Sequence, residues 1–310
     1  MFWPALLVSS LFFWLSPMAS ASFHEKSIEG DIVEAALDEL NQLHWPSVEQ
    51  NVELIGSGAF GKIYLCGSTC DARYYVIKRV CKHAARRMLG ALGSSVAPED
   101  EAHLHWHLEH ANILECVAIE DTMSCISYVL PYIHQGDAMA VLLRCGPGSI
   151  NDVRDFYKNI SGALLYIHRH GVAHRDVKLE NVLVRHNSSN DVGPYCLTDF
   201  GFAKQSKVLT GCLTFIGTEE YMAPEVYLSR RAGIEYGTKV DIWGLGLCLF
   251  LLASASHPFS DGSLEYQVLT FDIAFEQSLW DNFPKEFSRD VSAMLRRIPC
   301  QRLSLPFEAW

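Results

Sequence analysis

HRDVKLEN, His174 to Asn181, is followed by the apolar run Val182-Leu183-Val184 and, after the polar insert His186 to Gly193, by DFG at Asp199 to Gly201. The apolar run carries the β-branched signal of a strand, so Asp176, Lys178 and Asn181 stand together in one loop ahead of it. Toward the N-terminus, IGSGAFGKI from Ile55 to Ile63 holds glycines at 56, 58 and 61. Glycines let a backbone come close to phosphates and present its N–H groups to them. By itself such a triplet is weak, because dinucleotide-binding turns carry it too. Those turns place a helix directly after the last glycine, whereas Lys62 to Leu65 continues as a strand.

Lys78 lies in YVIKRV, where alternation points it inward. A lone lysine on a strand is ordinarily solvated, but a buried ammonium needs an anion. Glu101, nine residues before His110, is the candidate partner. Toward the C-terminus come APE at Ala223 to Glu225, Asp241 in DIWGLG and Arg302 in QRLS.

Glycine loop, strand lysine, HRDxxxxN, DFG and APE in this order are the signature set of protein kinases, and the chain resembles the eukaryotic-type serine/threonine protein kinase family over roughly residues 50 to 307. The resemblance implies an α+β, two-lobed fold with a small β-rich N-lobe carrying one main helix and a larger helical C-lobe. It places the N-lobe at 50–131, the hinge at about 131–136 and the C-lobe at 137–310. It also implies that Asp241 holds the catalytic loop and that Arg302 pairs with Glu225.

The chemistry follows from charge. A γ-phosphoryl group in transfer spreads negative charge over its oxygens, so catalysis is mostly alignment and cations. The resemblance gives Lys78, held by Glu101, the α- and β-phosphates of ATP; Asn181 and Asp199 the Mg²⁺ ions, as hard oxygen ligands; Asp176 the substrate hydroxyl proton; and Lys178 the γ-phosphate. A lysine at 178 together with GTEEYMAPE, Gly217 to Glu225, points to Ser/Thr acceptors in protein substrates. Nucleotide contacts are expected from Ile55, Gly56, Ser57, Gly58, Ala59, Phe60, Gly61, Lys62, Ile63, Val76, Leu130 as gatekeeper, Pro131, Tyr132 and Ile133 as hinge, Asp137 at the ribose, and Leu183.

Thr214 lies four residues before Thr218, the spacing of an activating phosphosite in this family. A phosphate there would pair with Arg175 and order the loop, which implies an upstream activating kinase; a plain loop threonine is the bland reading. Thr218 is expected near Asp176 and Lys178. His105 departs from the family pattern, standing where an apolar spine residue is usual. A neutral, packed imidazole is the favoured reading, with acid-sensitive docking of its helix as the sharper one. His103, His107 and His110 read as a solvated helix face rather than a metal grip, and Lys82, Arg86 and Arg87 as solvating a helix start or meeting a loop phosphate. With every catalytic position intact, an active kinase is preferred to a pseudokinase that binds nucleotide or partners.

Bulk properties bound the rest. The 310 residues are 49% hydrophobic and carry a net charge of -11, enough for a sizeable core and unsuited to nucleic acid as a partner. The ten cysteines form no zinc spacing. Residues 1–21 are an uncharged apolar run ending in small residues, the order of a secretory signal peptide without its usual positive start. The run is too short for a stable membrane span. The compartment therefore reads as secretory or extracellular if the signal operates and cytoplasmic otherwise, with Asn159 and Asn187 as glycosylation sequons in the first case. Residues 22–49 form an N-terminal helical extension, in which apolar positions 28, 32, 33, 36, 37, 40 and 43 follow a helical period.

Overall fold

The computed structural model describes residues 52–57, 61–68, 73–91, 97–185, 194–201, 203–205, 218–232, 236–259, 263–270, 273, 275, 280–305 and 310. The expected signal peptide and helical extension, Gly58, Ala59, Phe60, Asn187 and Thr214 lie outside the described residues.

Five antiparallel strands make the first layer: β1 (Glu53–Ser57), β2 (Gly61–Gly67), β3 (Tyr74–Cys81), β4 (Ala118–Asp121) and β5 (Cys125–Pro131), in the order β1-β2-β3-β5-β4. Alternation sorts their side chains onto two faces. Ile63, Val76, Val80, Ile126, Tyr128 and Leu130 turn inward, and two helices, α1 (Lys82–Ala91) and α2 (Pro98–Trp106), add Ala85 and Ala102 to that inner cluster. Gly61 is needed where β2 meets β3: a Cβ there would lie 2.6 Å from the Arg79 carbonyl oxygen.

Pro98 opens α2, and Glu99, Asp100 and Glu101 fill its first turn, where the helix dipole favours carboxylates. The helix ends at Trp106. Lys82 corrects an expectation. It is buried rather than solvated, and its ammonium meets Asp121 and, at 3.1 Å, Glu99. Arg86 also pairs with Glu99.

The second layer is helical: α3 (Ala138–Cys145), α4 (Ile150–Arg169), α5 (Pro224–Ala232), α6 (Lys239–Ser254), α7 (Leu264–Thr270) and α8 (Lys285–Met294). Ser149 caps α4 in a capping box with Asp152. Helix α6 is buried from Val240 to Ala253, so it forms the axis of this layer rather than an amphipathic wall. Each leucine it buries contributes about 1.5–3 kcal/mol. Asn159 sits in α4 with its Oδ1 accepting from the Tyr195 N–H at 3.1 Å, so that sequon is committed to the fold.

Short strands β6 (Val172–Ala173), β7 (Val182–Val184), β8 (Tyr195–Leu197) and β9 (Lys204–Gln205) carry the catalytic stretches; β7 pairs with β8 and β6 with β9. Among the described residues no helix is long and apolar enough to cross a membrane.

Candidate active site

The loop from His174 to Asn181 is suspended from α6. Asp241, fully buried on that helix, accepts from the backbone N–H of His174 at 2.9 Å and of Arg175 at 2.8 Å, and its Oδ2 lies 2.7 Å from His168 Nε2. Burial alone would raise this carboxyl, yet the His168 contact and the backbone donors hold it below its ordinary value. Gly244, one turn further on, permits the approach: a Cβ there would meet the Val177 carbonyl oxygen at 2.6 Å. Arg175 takes φ 70° and Asp199 φ 63°. Left-handed backbone at a non-glycine residue persists only where surroundings over-determine it, and two of the three cases among the described residues fall on the catalytic stretches, the third being Ala255 at the end of α6.

Asp176 is buried with every carboxylate oxygen engaged. Oδ1 accepts from the Thr218 N–H and hydroxyl, each at 2.9 Å, and Oδ2 from Lys178 Nζ and Asn181 Nδ2, also each at 2.9 Å. Lys178 reaches Thr218 Oγ1 at 2.5 Å as well. Burial works against the Lys178 charge, and Asp176 more than offsets it, so the ammonium is held above its usual pKa.

Across the cleft, Lys78 donates to Glu101 Oε1 at 2.8 Å and to Asp199 Oδ1 at 3.0 Å. Burial opposes its charge, and the two carboxylates overcome that, again raising the pKa. Asp199 shows the converse: burial would push it up, while Lys78 first and Lys178 further off keep it lowered and ionised. Gly201 belongs to the same arrangement, since a Cβ there would lie 3.2 Å from Asp199 Oδ1 and 3.3 Å from Glu101 Oε2. Phe200, between them, meets the His174 ring edge-on at 5.0 Å and the His105 ring at a tilt at 4.9 Å.

The His105 ring is buried, with Nε2 2.6 Å from the Leu114 carbonyl oxygen. Burial, aided by Lys78 and opposed by that hydrogen bond, lowers its pKa to about 4. The imidazole is therefore neutral at ordinary pH and acts as a packed member of the spine.

The residues expected around adenine gather in one cluster: Ile63, Val76, Leu130 and Leu183, with Ile55, Tyr132 and Ile133 against them. Gly56, Ser57 and Gly61 lie on the strands that flank the glycine loop, and Tyr75 pairs with Pro131 at the end of β5. Lys62 alternates onto the opposite face from Ile63, so only its backbone stays on the cleft side. Asp137 caps α3, its Oδ1 accepting from the Ala140 N–H at 2.7 Å. Thr218 sits where expected, and Arg175 is buried beside Asp176. Among the described residues no group of His, Cys, Asp and Glu is built to grip a metal alone. Helix α2 ends at Trp106, so His107 and His110 lie beyond it and do not continue the face of His103; His107 Nδ1 faces the His103 carbonyl and His110 accepts from the Asn112 N–H.

Sequence reasoning missed two residues. Tyr128 stands opposite Lys78 in the β3–β5 register; its ring lies 5.1 Å from the ammonium and its hydroxyl donates to Glu101 Oε1 at 2.5 Å. His168 orients Asp241 from α4. Only alternation back from Leu130 could have marked Tyr128, and nothing local marks His168.

Residues 50–308 match the protein kinase domain family. The chain belongs to the eukaryotic-type serine/threonine protein kinase family. It is 33% identical over 267 residues to serine/threonine-protein kinase chk-2 of Caenorhabditis elegans, covering 81% of this chain and 53% of that protein. It is also 33% identical over 221 residues to serine/threonine-protein kinase cds1 of Schizosaccharomyces pombe, with 68% and 46% covered. A probable serine/threonine-protein kinase fhkE of Dictyostelium discoideum is 26% identical over 251 residues, with 80% and 34% covered. The chain thus spans about a third to a half of the length of these relatives. The fold is the two-lobed kinase fold, with the sheet as the smaller lobe and the helices as the larger.

Whether the site suits Mg²⁺ is answered by Asn181. Its Nδ2 is spent on Asp176, while its Oδ1 is buried with no hydrogen-bond partner among the described residues. A buried amide oxygen left bare costs about 1–3 kcal/mol, and with the Asp199 carboxylate nearby it forms the hard-oxygen set that Mg²⁺ takes alongside phosphate oxygens and water. The residues fit the ion.

Proposed function

We propose that this chain transfers the γ-phosphoryl group of ATP to serine or threonine hydroxyls of protein substrates. The observation that carries the reading is the bare Asn181 Oδ1 held beside a fully hydrogen-bonded Asp176, with Lys78 and Asp199 facing them. In the reaction a bond forms between the acceptor oxygen and the γ-phosphorus, the bridging bond to ADP breaks, and Asp176 takes the hydroxyl proton. Asp176 already accepts a hydrogen bond from an alcohol, that of Thr218, which supports its use on a substrate hydroxyl. Lys78 steadies the α- and β-phosphates, and Lys178 neutralises charge on the group in flight. Asn181 and Asp199 would hold Mg²⁺, which when bound would supply further positive charge to the phosphate oxygens.

Regulation through Thr214 is part of this proposal, supported by its spacing from Thr218 and by Arg175 beside Asp176. Export through residues 1–21 is a separate proposal carried by sequence alone, and sequencing the mature N-terminus tests it. The function is tested with purified protein, labelled ATP and peptide arrays offering Ser, Thr or Tyr. Label on Ser and Thr peptides is the expected result, and label confined to Tyr peptides, or absent from all three, contradicts it. A Thr214→Ala chain with unchanged turnover removes the regulatory part alone.

A further inference from the structure

The face of the sheet turned away from the cleft carries a second apolar row. Leu54, Tyr64, Ile77, Val129 and Ala118 stand opposite one another across all five strands. A face pointing away from both the cleft and the helical layer should be wet. Instead Tyr64 and Ile77 are 1% exposed, Val129 3% and Cys66 0%, while Leu54 on the edge strand is open at 37%. These four form a cluster of their own, joined by Val52, Tyr75 and Ala118. Every described member is a residue of the sheet or Val52, just ahead of β1, while α1 and α2 serve the inner cluster.

We infer that residues 28–43 of this same chain dock as an amphipathic helix across this outer row. Sixteen residues of helix run about 24 Å, and a row crossing five strands spaced about 4.8 Å runs about 19 Å. The lengths match. Val52 packs on the outer cluster, so the chain enters β1 from this side, and residues 44–51 reach up to about 28 Å if extended. The segment offers Ile32, Val33, Ala36, Leu37, Leu40 and Leu43 on one face, a stripe that an isolated helix of this length cannot bury alone.

Charge agrees with this occupant. Residues 28–43 contain Glu29, Asp31, Glu34, Asp38 and Glu39 and no lysine or arginine. The neighbouring outer row carries Lys62 opposite Arg79, whose Nη1 is buried with no hydrogen-bond partner among the described residues. A second copy of the sheet would bring the same cations against each other and leave the apolar stripe of 28–43 unused.

Cys66 reports on the cover. Its thiol donates to the Tyr75 carbonyl, and burial pushes its pKa up to about 11, so it is a poor nucleophile while covered. Full-length protein carrying Leu37→Asp and Leu40→Asp is treated with a maleimide and mapped by mass spectrometry, with buried Cys248 of α6 as the fold control. Labelling of Cys66 about tenfold faster than in the parent, with Cys248 still protected, is expected. Cys66 as protected in the variant as in the parent overturns the inference. Should Cys248 label too, the variant has unfolded, and carbodiimide cross-linking of the unaltered monomer decides. A bond from Lys62 to a carboxylate within 28–43 supports the docking, and its absence, or its presence only between two copies, refutes it.

Discussion

The catalytic cleft and the floor of the helical lobe both bury carboxylates behind hydrogen bonds, yet the cleft adds to them an amide oxygen left bare. On the floor, Asp241 is saturated by His168 and two backbone N–H groups, and Glu225 by both terminal nitrogens of Arg302 at 2.5 and 2.6 Å, with that guanidinium 5.1 Å from the Trp243 ring. In the cleft, Asn181 keeps a bare oxygen and two residues hold left-handed backbone. Saturation on the floor fixes the loop and the helices; in the cleft Asp176 is saturated as well, by Thr218, Lys178 and Asn181, which holds its carboxylate in one orientation. The bare Asn181 oxygen stands in the catalytic loop beside Asp176, and the hydrogen bonds that Asp241 accepts from that loop hold it in place.

Substitutions should separate the two regions. Lys78→Met removes the cation shared by Glu101 and Asp199, and transfer should fall about 10²–10³-fold, measured as initial rate per folded molecule. A rate within tenfold of the parent would break the distinction. Arg302→Ala strips Glu225 of its buried partner and should cost about 3–5 kcal/mol in urea unfolding, with the rate per folded molecule kept. Loss of rate without loss of stability would place Arg302 in the site instead.

His105 spans both behaviours, because it packs like a floor residue while touching Phe200. Its folded pKa, about 4, lies below the unfolded value of 6.5. The unfolded chain therefore takes up the proton first, and the stability is full above pH 6.5, falls as pH drops toward 4 and levels off beneath. The contribution is on the order of 3 kcal/mol. Lys78, Asp199 and His174 also face this ring, so the measurement is the difference between parent and His105→Leu across pH 4–7. An unchanged slope in the variant removes His105 as the source. Smallest is Tyr128→Phe, which deletes one hydrogen bond to Glu101 and should cost about 1–2 kcal/mol of stability with a lesser fall in rate. No change in either would show Glu101 to be held by Lys78 alone.

The legible part of the molecule was the part with local spacing. Asp176, Lys178 and Asn181 share one loop, and Lys78 shows itself by strand alternation, so each could be placed before any contact was seen. What stayed hidden depends on partners distant in the chain. Lys82 reads as solvated until Asp121, 39 residues on, covers it. Tyr128 gains its meaning only from the β3–β5 register, and His168 only from the packing of α4 on α6. Helix α3 was missed because its eight residues give too few turns for a period to stand out, although Asp137 is an ordinary cap. His105 could be located but not characterised, since its neutrality follows from burial and from Leu114.

The central claim is that Asp176 receives the acceptor's proton in a cleft otherwise built to hold a nucleotide's phosphates. Asp176→Asn tests it most directly, through single-turnover transfer from labelled ATP to a serine peptide, with ATP affinity followed in parallel. The account predicts a rate reduced about 10²–10⁴-fold with nucleotide affinity unchanged. A variant that transfers phosphate at the parent's rate would contradict it.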